Sequence, residues 1–242
     1  MEPIRPLRGI KWAMSHFSLL LLDLDDTVVE FSRARRSSFV RTAEEYRLPV
    51  DGQELYAEFC RASDRLWAGH REGKTSLEQV RTLRFAEVLK PFAVNPVEFT
   101  KRFYEIISTA EEVMPGAVES IRALASVFKL VGISNGRRET QELRMAHVGL
   151  KDCFSFFVGP EDCGFAKPHP ALFLLALERA GGVPRERALV VGDGLETDIQ
   201  GAAALGIASC WLNPEGLERA PEDPVPTIEV PSLVELTEKL LG

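Results

Sequence analysis

The chain shows one abrupt change from apolar to acidic residues. Four consecutive leucines, Leu19–Leu22, precede the segment Asp23–Thr27, which contains three aspartates. An unbroken apolar run bounded by polar residues is typical of a strand that is buried on both faces, as in a parallel sheet. The carboxylates would then lie at the carboxyl end of this strand, where open α/β sheets bind ligands. The alternative is that Asp26 or Thr27 caps a helix and that the other two aspartates are merely solvated.

After this segment, apolar residues recur at helical spacing for about eighty residues. The pattern predicts four helices, at roughly 33–47, at roughly 52–69, from Ser76 and from Asn95. Ser76 and Asn95 begin sequences typical of helix N-termini. In the third helix, Leu77, Val80 and Leu83 are predicted to face inward, with Phe85 as a further candidate. Four amphipathic helices with short connections indicate a small bundle.

Beyond Met114, strand-like and helical segments alternate. Apolar runs predict strands at 130–134, 154–158, 188–193 and 208–212. Strands separated by helices favour right-handed crossovers and a mainly parallel, doubly wound sheet. We therefore expect an α/β core domain made of residues 17–30 and 113–242, an N-terminal extension at 1–16, and a helical cap domain at 31–112. Because the cap is inserted after the first strand, we expect it to cover the carboxyl end of that strand.

Composition excludes some classes of function. The 242 residues carry a formal net charge of −7, which argues against a general nucleic-acid-binding protein. Nothing in the sequence resembles a membrane span, so we expect no membrane partner. The cysteines are scattered and lie near no histidine, which predicts reduced thiols in a cytoplasmic protein rather than disulfides or a zinc site. These are Cys60, Cys153, Cys163 and Cys210.

Polar residues follow three of the predicted strands, namely Asp23 with Asp25, then Ser134 with Asn135, then Asp193. Lys167 lies in the loop before a helix, between the predicted strands at 154–158 and 188–193. In a parallel sheet these positions meet at one edge. Carboxylates bind Mg²⁺ through hard oxygens, and the metal reduces the repulsion between a phosphate group and a carboxylate nucleophile. A lysine, a hydroxyl and backbone amides can hold the remaining phosphate oxygens. The set therefore favours phosphoryl transfer, whereas peptide hydrolysis by a Ser-His-Asp triad is not indicated.

Four motifs, in this order, resemble those of the haloacid dehalogenase superfamily. They are Asp23-x-Asp25-x-Thr27, Ser134-Asn135-Gly136, Lys167-Pro168 and Gly192-Asp193-x-x-x-x-Asp198. Each motif is weak by itself, and a lone Lys-Pro is usually a surface turn, but the four together cover the chain from about residue 17 to residue 213. The resemblance implies a Rossmann-like core and a Mg²⁺-dependent reaction.

The resemblance also implies a role for each matched residue in phosphoryl transfer. Asp23 would be the nucleophile that forms an aspartyl-phosphate. Asp25 would protonate the leaving alcohol and then activate the water that hydrolyses the intermediate. Ser134 and Lys167 would bind the phosphoryl group together with the backbone amide of Asn135.

The metal site implied by the resemblance uses the acidic residues of the first and fourth motifs. Mg²⁺ would be held by Asp23, by the backbone carbonyl of Asp25 and by Asp193. Asp198 would lie nearby, where a water could connect it to the ion. Asp26 occupies a place often held by glycine in related phosphatases, and we assign it no role beyond the local turn.

The acid at position 25 separates two reaction types within the superfamily. Dehalogenases resemble this fold but lack an acid at the Asp25 position, since a departing halide needs no proton. A small helical cap in this superfamily usually serves small soluble phosphates. The sequence therefore predicts a phosphatase acting on a small phosphorylated substrate and not on a nucleic-acid polymer.

A finer resemblance points to the YjjG-type pyrimidine 5′-nucleotidase branch. It is carried by Leu66-Trp67, Gly73, Thr75, Leu77, Arg84-Phe85, Ile199-Gln200-Gly201-Ala202, Gly206 and Cys210-Trp211-Leu212-Asn213. The resemblance implies preference for pyrimidine nucleoside 5′-monophosphates. Open alternatives are a phosphatase for N-acylneuraminate 9-phosphate, phosphoglycolate or a sugar phosphate, a phosphomutase, and a catalytically idle regulatory or binding protein. The sequence leaves the oligomeric state open.

Overall fold

The computed structural model describes residues 16–242, so the predicted N-terminal extension lies outside the described residues except for its last position. The described chain forms two compact units. A helical unit spans Phe31–Ala110, and a sheet unit contains the residues up to Glu30 together with Glu111–Gly242. Residues 111 and 112, which the sequence-based boundary assigns to the cap, group with the sheet unit. The Glu30 N–H donates to the Glu112 carbonyl at 3.1 Å. This bond joins the two chain segments of the sheet unit at the points where the helical unit is inserted.

The sheet unit contains a parallel sheet of six strands within the described residues, in the order β3-β2-β1-β4-β5-β6. The strands are β1 (Leu19–Leu22), β2 (Lys129–Ile133), β3 (Phe156–Val158), β4 (Ala188–Gly192), β5 (Ala208–Leu212) and β6 (Ile228–Val230). The predicted doubly wound parallel sheet is confirmed. β6 was not predicted, because three residues beside a proline-rich stretch are too few to show a strand pattern.

Helices cover both faces of the sheet, which explains the unbroken leucine run. They are α5 (Ala117–Ala125), α6 (Arg138–His147), α7 (Pro160–Cys163), α8 (Pro170–Arg179), α9 (Gln200–Leu205) and α10 (Leu233–Leu241). Leu20 and Leu22 belong to the core that contains α5 and α10 residues, whereas Leu19 and Leu21 belong to the core with α8 and α9. Side chains alternate between the two faces of a strand, so a strand between two layers is apolar at every position.

The helical unit consists of α1 (Phe31–Glu45), α2 (Gly52–Arg71), α3 (Leu77–Leu89) and α4 (Pro96–Ser108). Its core is rich in phenylalanine and includes Phe39, Phe59, Phe85, Phe99 and Phe103. Phe39 and Phe59 are 4.8 Å apart between ring centroids, a distance at which aromatic rings attract each other. Closely packed rings of this kind give the four helices a core of their own.

The predicted helix caps in this unit are confirmed, but one core residue was predicted wrongly. Ser76 accepts a hydrogen bond from the backbone N–H of Gln79, and Asn95 accepts one from that of Val97. Leu83 is exposed rather than buried. Two positions along an α-helix turn through about 200°, so Leu83 lies on the side opposite Phe85, which is fully buried.

None of the helices in residues 16–242 is both long enough and apolar enough to cross a membrane.

Gly132 provides a test of the packing between β2 and β3. A Cβ atom at Gly132 would overlap the Phe157 ring and come within 3.4 Å of Leu24 Cδ1. We expect Gly132→Ala to lower the free energy of unfolding by about 1–3 kcal/mol, as overpacking does in other cores. Urea unfolding followed by circular dichroism measures this loss.

The matched test is the double variant Gly132→Ala/Phe157→Leu. Leucine removes the part of the ring that the new methyl group would strike, so the double variant should be more stable than the sum of the two single effects implies. Strictly additive losses would contradict this account of the contact.

Candidate active site

The ends of three neighbouring strands bring the predicted site residues together. The pairing of β1 with β2 and β4 aligns the carboxyl ends of these strands. Asp23, Ser134 and Asp193 each follow directly after a strand end. The N–H of Asp23 donates to Val191 O at 2.8 Å, and the N–H of Ser134 donates to Val158 O at 3.2 Å. Sheet hydrogen bonds therefore extend one residue beyond the strands and fix the backbone at the start of the site.

The segment after Asp23 forms a turn and does not cap a helix. The N–H of Asp26 donates to Val29 O at 2.8 Å, and Asp26 has a φ of 56°. This left-handed conformation suits Asp better than most non-glycine residues. The Thr27 hydroxyl donates to Asp193 Oδ1 at 3.3 Å, while α1 begins only at Phe31. The alternative of a helix cap at Asp26 or Thr27 is therefore wrong, and Thr27 connects the first motif to the fourth.

The Lys167 ammonium lies between two carboxylates inside the sheet unit. Its Nζ is 2.6 Å from Asp23 Oδ1 and 2.7 Å from Asp198 Oδ1, and it donates to Ile133 O at 3.3 Å. Asn135 holds the lysine backbone from both sides, because its Oδ1 accepts from the Lys167 N–H at 2.7 Å and its Nδ2 donates to the Lys167 carbonyl at 3.1 Å. The Asn135 side chain thus fixes the lysine loop.

Asp198 reaches this cluster from a single π-helical turn, Leu195–Ile199, which precedes α9. Turns of this type are frequent at functional sites. Asp198 is fully buried, and its Oδ2 accepts from the Gly194 N–H at 3.2 Å. A Cβ atom on Gly192 would overlap the Asp198 carboxylate. Glycine at the end of β4 therefore makes room for Asp198 beside Lys167.

The electrostatics of the cluster follow from burial and from an excess of acids. Burial raises the pKa of Asp23 well above its ordinary value, and the neighbouring acids add to this effect while Lys167 opposes it. Burial, with the charges of Asp198 and Asp26, raises the pKa of Asp193 to about 6. Burial opposes the charge of Lys167, but Asp198 and Asp23 outweigh it and raise the lysine pKa. The pKa values of Asp23, Asp193 and Lys167 are therefore all raised by their shared surroundings.

The donor set of this cluster fits a divalent cation. Oxygen atoms of Asp23, Asp193 and Asp198 lie within 4.8 Å of one another. When all three acids are ionised, Lys167 compensates only part of their charge, and the remainder matches a divalent ion. Mg²⁺ prefers carboxylate oxygens and usually retains several waters, through which a more distant carboxylate can act. The fit between this cluster and Mg²⁺ therefore rests on the carboxylate oxygens and on their net charge.

Asp25 lies in a separate set of contacts that the sequence reading missed. Its Oδ1 accepts from Arg144 Nη1 at 2.8 Å, and its Oδ2 accepts from Gln141 Nε2 at 2.7 Å. Ser134 Oγ is 3.4 Å from Asp25 Oδ2 and accepts from Gln141 Nε2 at 3.0 Å. Gln141 and Arg144 are three positions apart on α6, beside the buried Met145. The sequence signal that could have revealed these contacts was the position of two polar residues, Gln141 and Arg144, on the apolar face of α6.

The structure therefore brings the predicted site residues together in two groups. One contains Asp23, Lys167, Asp193 and Asp198, and the other contains Asp25 and Ser134. Asn135 lies next to Ser134, but its side chain contacts the lysine loop.

Comparisons with known proteins agree on one family. A family model described as haloacid dehalogenase-like hydrolase matches residues 17–206. The chain is 31% identical over 221 residues to the pyrimidine 5′-nucleotidase YjjG of Escherichia coli, covering 91% of this chain and 96% of the relative. It is 29% identical over 225 residues to YfnB of Bacillus subtilis, described as a HAD-hydrolase, covering 92% of this chain and 95% of the relative.

Solved structures share the fold. A magnesium-bound crystal structure of YfnB from Bacillus subtilis superposes with a TM-score of 0.84 and 29% identity, covering 94% of this chain and all of that chain. The L-2-haloacid dehalogenase of Xanthobacter autotrophicus superposes with a TM-score of 0.75, covering 93% of this chain and 99% of that chain. Its identity is only 17%, so this second likeness concerns the fold alone.

The raised pKa of Asp193 predicts how the metal-free protein responds to pH. The pKa moves from an ordinary 3.8 to about 6 on folding. Between these two pH values the folded state holds a proton that the unfolded state has released. The contribution of Asp193 to the free energy of unfolding therefore falls as the pH rises through this window. Denaturant unfolding in EDTA at several pH values measures the slope, and Asp193→Asn should remove this downward component. Equal slopes for both proteins would contradict it.

Proposed function

Because this chain belongs to the haloacid dehalogenase-like hydrolases, we propose that it is a Mg²⁺-dependent phosphomonoester hydrolase. The observation that carries the proposal is the pair of carboxylates after β1. Asp23 lies next to Lys167 in the buried acidic cluster, whereas Asp25 contacts Ser134, Gln141 and Arg144. Two carboxylates in different surroundings can take different roles in proton and phosphoryl transfer. A halide leaving group would need only the first of them.

In the proposed first step, a carboxylate oxygen of Asp23 attacks the phosphorus atom of the ester. The bond between phosphorus and the leaving oxygen breaks, and Asp25 gives its proton to that oxygen. Lys167 is close enough to Asp23 to orient it and to attract phosphate oxygens as charge moves onto them. The product of this step is an aspartyl-phosphate on Asp23.

In the second step, Asp25 acts as the base. It takes a proton from a water molecule, whose oxygen attacks the phosphorus atom and displaces the Asp23 carboxylate. Inorganic phosphate leaves, and Asp25 again holds a proton for the next cycle. One group serves as acid and then as base, as general acid–base catalysis permits when the group stays close to the reacting oxygen.

Mg²⁺ would be held by Asp23, by the Asp25 backbone carbonyl and by Asp193, with Asp198 nearby. When bound, the ion neutralises the charge that builds up on the phosphate oxygens and so lowers the barrier to attack by a carboxylate. Asp198 also forms an ion pair with Lys167, so a second role of the Asp198 carboxylate is to hold the lysine side chain in position.

For the substrate we propose a nucleoside 5′-monophosphate, with pyrimidines preferred over purines. The support is the likeness to a pyrimidine 5′-nucleotidase along nearly the whole chain, together with the resemblance carried by Leu66-Trp67 and Arg84-Phe85 in the helical unit. A phosphatase for another small phosphate, such as a sugar phosphate, is the nearest alternative, since the catalytic residues would be the same. A phosphomutase would pass the phosphoryl group to a second substrate, and a regulatory protein would release no phosphate.

The nucleophile is tested by Asp23→Asn. Asparagine keeps the size of the side chain but removes the attacking carboxylate and a metal ligand, so phosphate release should fall by at least about a thousandfold. Asp152→Asn, an exposed acid outside the site, is the matched control and should keep full activity. EDTA should abolish the activity of the native protein and Mg²⁺ should restore it. An Asp23→Asn protein that keeps a tenth of the native rate would refute the assignment.

The substrate is tested by kcat/KM over a panel of phosphate esters. We expect pyrimidine nucleoside 5′-monophosphates to exceed purine ones and sugar phosphates, because a site that hydrogen-bonds one base leaves its polar groups unpaired with another. A sugar-acid phosphate or phosphoglycolate that exceeds every nucleotide by about tenfold would overturn the nucleotide assignment. It would leave the phosphatase reaction standing.

A further inference from the structure

The inner face of α6 carries two polar side chains that the proposed reaction does not use directly. Arg144 has no exposed surface, and Gln141 is 3% exposed. Both reach Asp25, Arg144 on Oδ1 at 2.8 Å and Gln141 on Oδ2 at 2.7 Å. A fully buried guanidinium group is expensive to desolvate and is kept only where it has a well-placed partner. Here one such partner is the carboxylate two residues after the nucleophile.

We propose that Arg144 and Gln141 are positioning residues that hold the Asp25 carboxyl group in the orientation required for proton transfer. The inference rests on the proposed function, in which Asp25 protonates the leaving oxygen and later activates water. It assigns to α6 a part in the reaction beyond covering the sheet.

The geometry of the two contacts supports this role. A carboxylate has two oxygens with about four lone-pair directions in total. Two donors that reach different oxygens fix both the rotation and the tilt of the group. Gln141 and the Ser134 hydroxyl both donate to Oδ2, whereas Arg144 occupies one direction on Oδ1, so a second direction on Oδ1 is left for the leaving group or water. The Asp25 side chain is 20% exposed, whereas that of Arg144 is 0% exposed, so Arg144 approaches Asp25 from the protein interior and would influence the substrate through it.

Gln141 extends the arrangement to the phosphate-binding side of the site. Its Nε2 donates to Ser134 Oγ at 3.0 Å as well as to Asp25. The Ser134 hydroxyl also accepts from the Gly136 N–H at 2.9 Å. One amide group therefore fixes the acid relative to the hydroxyl that is proposed to bind the phosphoryl group. The distance between the proton donor and the reacting phosphate then depends on Gln141.

The alternative is that Arg144 and Asp25 form a structural ion pair that only joins α6 to the segment after β1. The two roles predict different dependence on the leaving group. A structural role affects all substrates alike, because it changes the amount or shape of the active protein. A positioning role affects most the esters whose leaving oxygen needs a proton, and affects least an activated aryl ester whose phenolate leaves without one.

The experiment measures kcat/KM for an alkyl phosphate and for p-nitrophenyl phosphate with Arg144→Met and Gln141→Met. We expect each variant to lower the alkyl-to-aryl ratio, by about tenfold or more for Arg144→Met. Arg144→Lys should restore part of the ratio, because lysine keeps a donor and a charge. Arg138→Met is the matched control, since Arg138 lies on the same helix but pairs with Glu142 and Asp162, and its ratio should be unchanged.

A double-mutant comparison separates this inference from the proposed function. Asp25→Asn by itself should lower the alkyl-to-aryl ratio, and adding Arg144→Met to it should change the ratio less than about threefold. An unchanged ratio in Asp25→Asn would refute the acid role and this inference with it. A lowered ratio in Asp25→Asn beside an unchanged ratio in folded Arg144→Met and Gln141→Met would overturn the inference alone. Thermal unfolding followed by circular dichroism identifies folded variants, and Gln141→Met and Arg144→Lys decide the outcome where Arg144→Met does not fold.

Discussion

The site depends on the buried contact between the Lys167 ammonium and two carboxylates. A buried ammonium or carboxylate is costly unless it is paired, and here Lys167 lies 2.6 Å from Asp23 and 2.7 Å from Asp198. Three acids, with Asp193 as the third, share this region. Without the lysine their mutual repulsion would be uncompensated inside the protein. The same excess of negative charge gives the cluster its fit to a divalent cation, so one balance of charges serves both folding and binding.

Three further features hold Lys167 and the acidic cluster around it in place. The Asn135 side chain fixes the lysine loop, the glycine at the end of β4 makes room for Asp198, and Thr27 contacts Asp193. The parallel sheet supplies only the common edge from which these loops start. A dehalogenase shares this fold, so the fold does not decide between the two reactions. The surroundings of Asp25 bear directly on that choice.

The sequence alone was sufficient for features that depend on local pattern. The leucine run before Asp23 predicts a strand buried on both faces, because no polar position interrupts it. Ser76 and Asn95 predict helix starts, since capping needs only groups within a few residues. The strand ends identify Asp23 and Asp193 as candidates, because parallel strands end at one edge of the sheet. Each of these inferences uses neighbours in sequence or a rule of topology.

Only the tertiary structure decided which groups meet across the sequence. Arg144 and Gln141 are more than a hundred residues from Asp25, and their helix shows no motif that points to it. Leu83 is exposed although it is apolar, because packing against the other helices selected a different face of α3. The sequence determined five of the six strands in the described residues, the helix starts at Ser76 and Asn95, and the candidate acids, since these follow from local chemistry. The partners of Asp25 and of Lys167 were decided by packing, which sets distances that no local pattern contains.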